Sequence, residues 1–65
     1  MPARPAELSS LATALDELTR RVTAHADAAD TAKDEETARE LFAIERALTS
    51  ANRRLSKLAL TLSRR

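Results

Sequence analysis

The sequence has no cysteine, glycine, tryptophan or tyrosine, and it has a single phenylalanine. Without cysteine it can form neither a disulfide nor a cysteine-ligated metal site, the usual supports of so small a domain. The lack of cysteine also fits a reducing compartment. No apolar run approaches the roughly 20 residues of a membrane span, and the N-terminal stretch lacks the apolar core of a signal peptide. We therefore expect a cytoplasmic protein with no membrane span.

Alanine, leucine, arginine and glutamate dominate what remains, and this composition favours an all-α fold. Two series of residues recur at spacings of three and four, the heptad pattern of a helix that lies along a partner helix. The first series is Leu8, Leu11, Leu15, Leu18, Val22 and His25. The second series is Leu41, Ile44, Leu48, Ala51, Leu55, Leu58 and Leu62. Apart from His25 and Ala51, we predict that these residues form the seam of a helical hairpin and of its dimer.

The position of the turn must be inferred without a glycine or proline. The two series are offset by 33 residues, which is not a multiple of seven, and no large apolar side chain lies between Ala24 and Lys33. Thr31-x-x-Asp34 resembles a capping box at the start of a second helix. The sequence thus predicts an antiparallel hairpin with helices at about 5–28 and 32–63. We expect residues 1–4 to be a flexible lead-in and residues 5–65 to form a single domain.

A chain of this length buries only about 60% of its unfolded surface, so an isolated core is marginal. Small residues flank both series and widen the apolar faces beyond a two-helix seam. These flanking residues are Ala12, Ala14, Ala26, Ala28, Ala47 and Ala59. We expect two hairpins to form a four-helix bundle. Acids predominate from Asp27 to Glu45 and bases follow from Arg46 onward, so an antiparallel dimer would place unlike charges together.

No constellation of residues predicts catalysis, a cofactor or a metal site, and His25 is the only histidine. The sequence predicts a non-enzymatic protein that acts in protein–protein interaction or regulatory assembly through homodimerisation. A nucleic-acid-binding regulator is the first alternative. An accessory subunit of a larger enzyme, docked through an overhang at residues 58–62, is the second. The predicted partner or nucleic-acid face consists of Phe42, Arg46, Arg53, Arg54, Lys57 and Leu60.

Two resemblances accompany this prediction. In its hairpin length and in the Asp at its turn, the chain resembles the plasmid copy-control protein Rop. This resemblance implies an antiparallel bundle that binds RNA. Two sequence runs resemble the helices of the exonuclease VII small subunit, although the Gly-containing connection typical of that family is missing. They are Ala14-Leu15-x-Glu17-Leu18-x3-Val22 and Ala38-x-Glu40-Leu41-Phe42-x4-Ala47-Leu48. Neither resemblance assigns the chain to a family.

Overall fold

A computed structural model describes residues 4–64, which form two α-helices and no strand. Helix α1 spans Pro5–Thr31 and helix α2 spans Glu35–Ser63. The helices run antiparallel, because side chains from the two contact each other near the turn and again near the termini. The predicted all-α hairpin is confirmed. The predicted lead-in, apart from Arg4, lies outside the described residues, as does Arg65.

The chain reverses at residues 32–34, three residues later than predicted. The Asp34 N–H donates to the Ala29 carbonyl at 2.9 Å, and the Lys33 N–H donates to the Asp30 carbonyl at 3.0 Å. These two bonds form a Schellman motif, which requires a left-handed residue at its centre. Lys33 takes that conformation with φ of 63°. Helix α1 ends three residues after the predicted residue 28, because this motif satisfies the last carbonyls of a longer helix.

The capping box predicted at Thr31 is also wrong, since Thr31 is the last residue of α1. Asp34 is instead the N-cap of α2, and its Oδ1 accepts a hydrogen bond from the Thr37 N–H at 3.2 Å. A carboxylate at this position stabilises the helix by satisfying a free N–H and by facing the positive end of the helix dipole. The second helix therefore begins at Glu35 rather than at residue 32.

Small side chains are the most deeply buried part of the contact between the helices. Among the described residues, the buried hydrophobic ones are Ala26, Ala38 and Ala59, and no large side chain is fully buried. Larger residues alternate with them and are only half-buried, among them Leu8, Leu15 and Val22 in α1. The molecule measures 49 × 18 × 14 Å, so it is a single layer of two helices. A single layer has no interior in which leucines could be enclosed.

The predicted overhang of α2 is not formed. The two helices contain 27 and 29 residues, because α1 is longer than predicted. Ala59 is buried, Leu62 is half-buried, and Leu60 lines a groove together with Pro5 and Ala6 of α1. The last turns of α2 therefore lie beside the first turns of α1, and residues 58–62 do not project as a separate docking strip.

Replacing Lys33 with glycine should stabilise the hairpin. A residue with a Cβ costs roughly 1–2 kcal/mol in the left-handed region, and the added freedom of glycine in the unfolded chain offsets part of that gain. We expect the free energy of unfolding to rise by about 0.5–1 kcal/mol in thermal or urea denaturation. Lys57→Gly, inside α2, is the matched control and should lower it by about 1 kcal/mol. A loss of stability in Lys33→Gly would contradict this account of the turn.

Removing the cap of α2 should have the opposite effect. Asp34→Ala leaves the Thr37 N–H without its partner, which typically costs about 1 kcal/mol. For a chain of this size, that corresponds to a decrease of about 4–8 °C in Tm. Asp30→Ala, which removes a carboxylate from the last turn of α1, is the control and should leave Tm unchanged or slightly higher. Equal losses in the two variants would show that Asp34 is not a cap.

Candidate interaction surfaces

The hairpin has two chemically different sides, and one rule of spacing describes both. Within residues 4–64, residues one position after a half-buried leucine are polar, except for Phe42 after Leu41, whereas residues three positions after it are apolar. Along an α-helix, the next residue is rotated by about 100° around the axis, and the third residue on is rotated by about 300°, which equals 60° in the opposite direction. The two sets therefore lie on opposite sides of the seam. The polar set contains Ser9, Asp16, Thr49 and Ser56. The apolar set contains Leu11, Leu18, Ile44, Ala51 and Leu58.

The polar set lines a groove between the helices, which we call the polar groove. Ser9, Thr13 and Asp16 from α1 face Asn52 and Ser56 from α2 across an open volume of about 870 Å³. Nearer the turn, on the same side, the Thr23 hydroxyl donates a hydrogen bond to the Glu45 carboxylate. The Oδ1 atom of Asn52 is buried without a hydrogen-bond partner. Because both helices contribute to one groove, their polar sets lie on the same side of the hairpin.

The apolar set consequently lies together on the other side, which we call the apolar face. Four large side chains are exposed there: Leu11 at 56%, Leu18 at 46%, Ile44 at 40% and Leu58 at 47%. In a single domain, residues that continue a heptad pattern are normally enclosed by a further helix. Among the described residues, nothing covers this face. The predicted seam is thus divided between the hairpin contact and an open surface.

Charged residues border the apolar face at its α2 edge. Glu40 lies one turn before Ile44, and Arg54 lines a shallow hollow with Ala51, Leu55 and Leu58. Glu40 and Arg54 are 14 residues apart, with Ala47 midway between them, so the three form a line along the helix with a spacing of about 10 Å. All three are exposed. One end of this edge is therefore acidic, the other is basic, and its centre is small.

The predicted partner face is divided by the structure. Arg46 lies two residues after Ile44, and Arg53 lies two residues after Ala51. Two residues rotate the side-chain direction by about 200° around the helix axis, so both arginines lie opposite the apolar face. Arg54 borders the apolar face, as described above. Phe42 is half-buried near the turn, and Leu60 is 53% exposed at the far end of the polar groove.

Five cations share the side of α2 that lies away from the apolar face, and we call them the basic row. They are Arg39, Arg46, Arg53, Lys57 and Arg64. All five are exposed. Within residues 4–64 the ion pairs join Arg4 to Glu7 and Arg20 to Asp16, so no member of the row is paired with a carboxylate. Among these ion pairs, the Arg20–Asp16 pair is the closer, at 2.9 Å.

His25 is exposed and lies three positions after Val22, on the border of the apolar face. Across residues 4–64, no group of three or more His, Cys, Asp or Glu side chains is arranged to hold a metal ion. In the same part of the chain, neither helix is apolar over a stretch long enough to cross a bilayer.

The two helices also share an internal sequence repeat, which the heptad series alone does not reveal. Residues 7–22 and 40–55 share the pattern E-L-x2-(L/I)-x2-A-L-x4-R-R-(V/L), at an offset of 33 residues. Each helix contains one copy, so the hairpin is approximately two-fold symmetric in sequence as well as in shape. An alignment of the chain with itself at this offset would have revealed that both helices present the same two sides.

Comparison with known protein families, curated proteins and solved structures finds no match to this chain.

Proposed function

We propose that this protein is a non-enzymatic helical hairpin that acts in protein–protein interaction or regulatory assembly by pairing with a second copy of itself. The observation that supports the proposal is the apolar face, with four large exposed side chains on a hairpin whose buried hydrophobic residues, among those described, are alanines. Two such faces brought together form a four-helix bundle, in which the leucines of both copies become a shared core. A cytoplasmic location fits the absence of cysteine.

The surface area supports a second copy as the occupant. The hairpin exposes 5254 Å², whereas a compact monomer of 7.1 kDa exposes about 4,100 Å². The excess of about 1,200 Å² is comparable to the roughly 800 Å² that each partner buries in a stable protein–protein interface. The two apolar faces are identical, so one contact covers both at once and leaves neither exposed.

The charged edge of the face favours an antiparallel arrangement. When two copies meet about Ala47, Glu40 of each faces Arg54 of the other, and the small Ala47 side chains allow close approach. A parallel arrangement would place Glu40 against Glu40 and Arg54 against Arg54. Exposed ion pairs contribute only about 0.2–1 kcal/mol each, but like charges at the same positions oppose association. The charges therefore select orientation, while the leucines supply affinity.

Polar substitutions in the apolar face should separate the dimer. Leu11→Gln/Leu18→Gln removes four leucines from each assembled bundle, so we expect the dimer dissociation constant to rise by at least about a hundredfold. Analytical ultracentrifugation measures this directly. Thermal melting at several concentrations should show a concentration-dependent Tm for the unmodified protein and a weaker dependence for the variant.

The matched control is Ser10→Gln/Glu17→Gln, which places the same side chains one position earlier, on the outer side of α1. These two positions are exposed and seven residues apart, like Leu11 and Leu18. The control should dimerise normally. An unmodified protein that remains monomeric near 100 µM, with a Tm independent of concentration, would refute self-association.

Disulfide trapping should reveal the orientation, since the chain has no native cysteine to interfere. In an antiparallel dimer, a Glu40→Cys chain mixed with an Arg54→Cys chain should form the mixed disulfide in preference to either homodimer. A parallel dimer would give only the two homodimers. A size tag on one chain distinguishes the three products in a non-reducing gel. Predominant homodimer disulfides would therefore reject the antiparallel bundle without rejecting dimerisation.

A further inference from the structure

The basic row is not used in the proposed dimer, because it lies on the side of α2 that faces away from the apolar face. From Arg46 onward α2 contains no acidic residue. Asp16 is the carboxylate that lines the polar groove beside Arg53, and its charge is already balanced by Arg20. From Arg46 onward the outer side of α2 therefore carries positive charge that no described carboxylate neutralises, whereas Glu35 lies one turn before Arg39 on that side. Such a surface attracts anions over distances set by the Debye length, about 8 Å at physiological ionic strength.

The spacing of the row is regular. Arg39, Arg46 and Arg53 follow one another at seven-residue intervals, as do Lys57 and Arg64, so the cations lie nearly along a line. The row is about 38 Å long, since a helix rises about 1.5 Å per residue. One turn of a nucleic-acid duplex measures about 34–36 Å. A straight row of this length, laid along a duplex, spans about one turn and meets phosphates of both strands where the two backbones cross it.

Side chains of the adjacent groove add chemistry suited to the same ligand. Thr49, Asn52 and Ser56 line the polar groove next to Arg53. Hydroxyl and amide groups of this kind, together with Arg and Lys, make most protein contacts to phosphate and sugar oxygens. To bind an acidic protein helix, the row would need cations at the positions of that helix's carboxylates. To bind a phosphate backbone, it needs only a continuous line of hydrogen-bond donors.

We propose that the basic row binds the phosphate backbone of a duplex nucleic acid, with Arg46, Arg53 and Lys57 at its centre. Because the cations and the adjacent hydroxyl and amide groups are all suited to phosphate and sugar oxygens, we expect a contact to the backbone that is independent of sequence. This inference stands apart from the proposed self-association, because the two surfaces lie on opposite sides of α2. A dimer would present two such rows.

Fluorescence anisotropy with a labelled duplex of about two turns, as RNA and as DNA of the same sequence, tests the proposal. If the row contacts five phosphates, the slope of log K against log salt should approach about −4.5. Arg46→Gln/Arg53→Gln should reduce the slope by about 1.8 and weaken binding at least about tenfold at low salt. Different affinities for RNA and DNA would show which duplex geometry fits the row.

The matched control is Arg21→Gln/Lys33→Gln, which removes the same net charge away from the row and should bind like the unmodified protein. Light scattering on every variant checks that the oligomeric state is unchanged, so a loss of binding cannot be attributed to a lost dimer. No binding at low salt, or equal losses in both double variants, would overturn the proposal. Tighter binding to polyglutamate than to the duplex would also overturn it, in favour of an acidic protein partner.

Discussion

The close approach of two helices at an alanine-rich seam is the constraint from which the rest of this structure follows. Ala26, Ala38 and Ala59 are buried where the helix backbones approach each other near the turn and near the termini. Between these two ends the seam contains half-buried leucines together with Thr19 and Asn52, and it encloses little apolar surface. The leucines are therefore divided, with one half-buried set along the seam and another exposed beside it. The hairpin is well defined in shape and incomplete as a core.

The same rotation of the helices gives the molecule its two sides. Each helix is oriented with its alanines toward the partner helix. In this orientation, one side of the hairpin carries Leu11, Leu18, Ile44 and Leu58, and the other side carries the serines, threonines and asparagine. An apolar surface on one side only favours closed pairing over open-ended assembly, because a second contact would have to use a polar surface. The basic row lies away from the apolar face, so association and anion binding need not compete.

The turn shows how tertiary contacts and backbone geometry override local signals. Asp30 and Thr31 resemble cap and turn residues, and the sequence offers no glycine at which to end a helix. The structure ends α1 later, with Lys33 in a left-handed conformation that sequence reasoning assigns to glycine or asparagine. The hydrogen bonds of the Schellman motif outweigh the conformational cost at Lys33. Asp34 then serves as the cap, because it is the residue that directly precedes the first turn of α2.

By itself, the sequence determined that this protein is helical, that it has two helices, and that leucines recur along each helix at heptad spacing. Composition and heptad spacing suffice for those conclusions, since they depend on local propensity and period. Which residues face the partner helix was decided only in the tertiary structure. Two series with the same spacing share Leu8, Leu15 and Val22. One of them includes Leu11 and Leu18, and the other includes Ala12 and Thr19. Spacing is the same in both, and only the packing of the two helices selects the series with small residues.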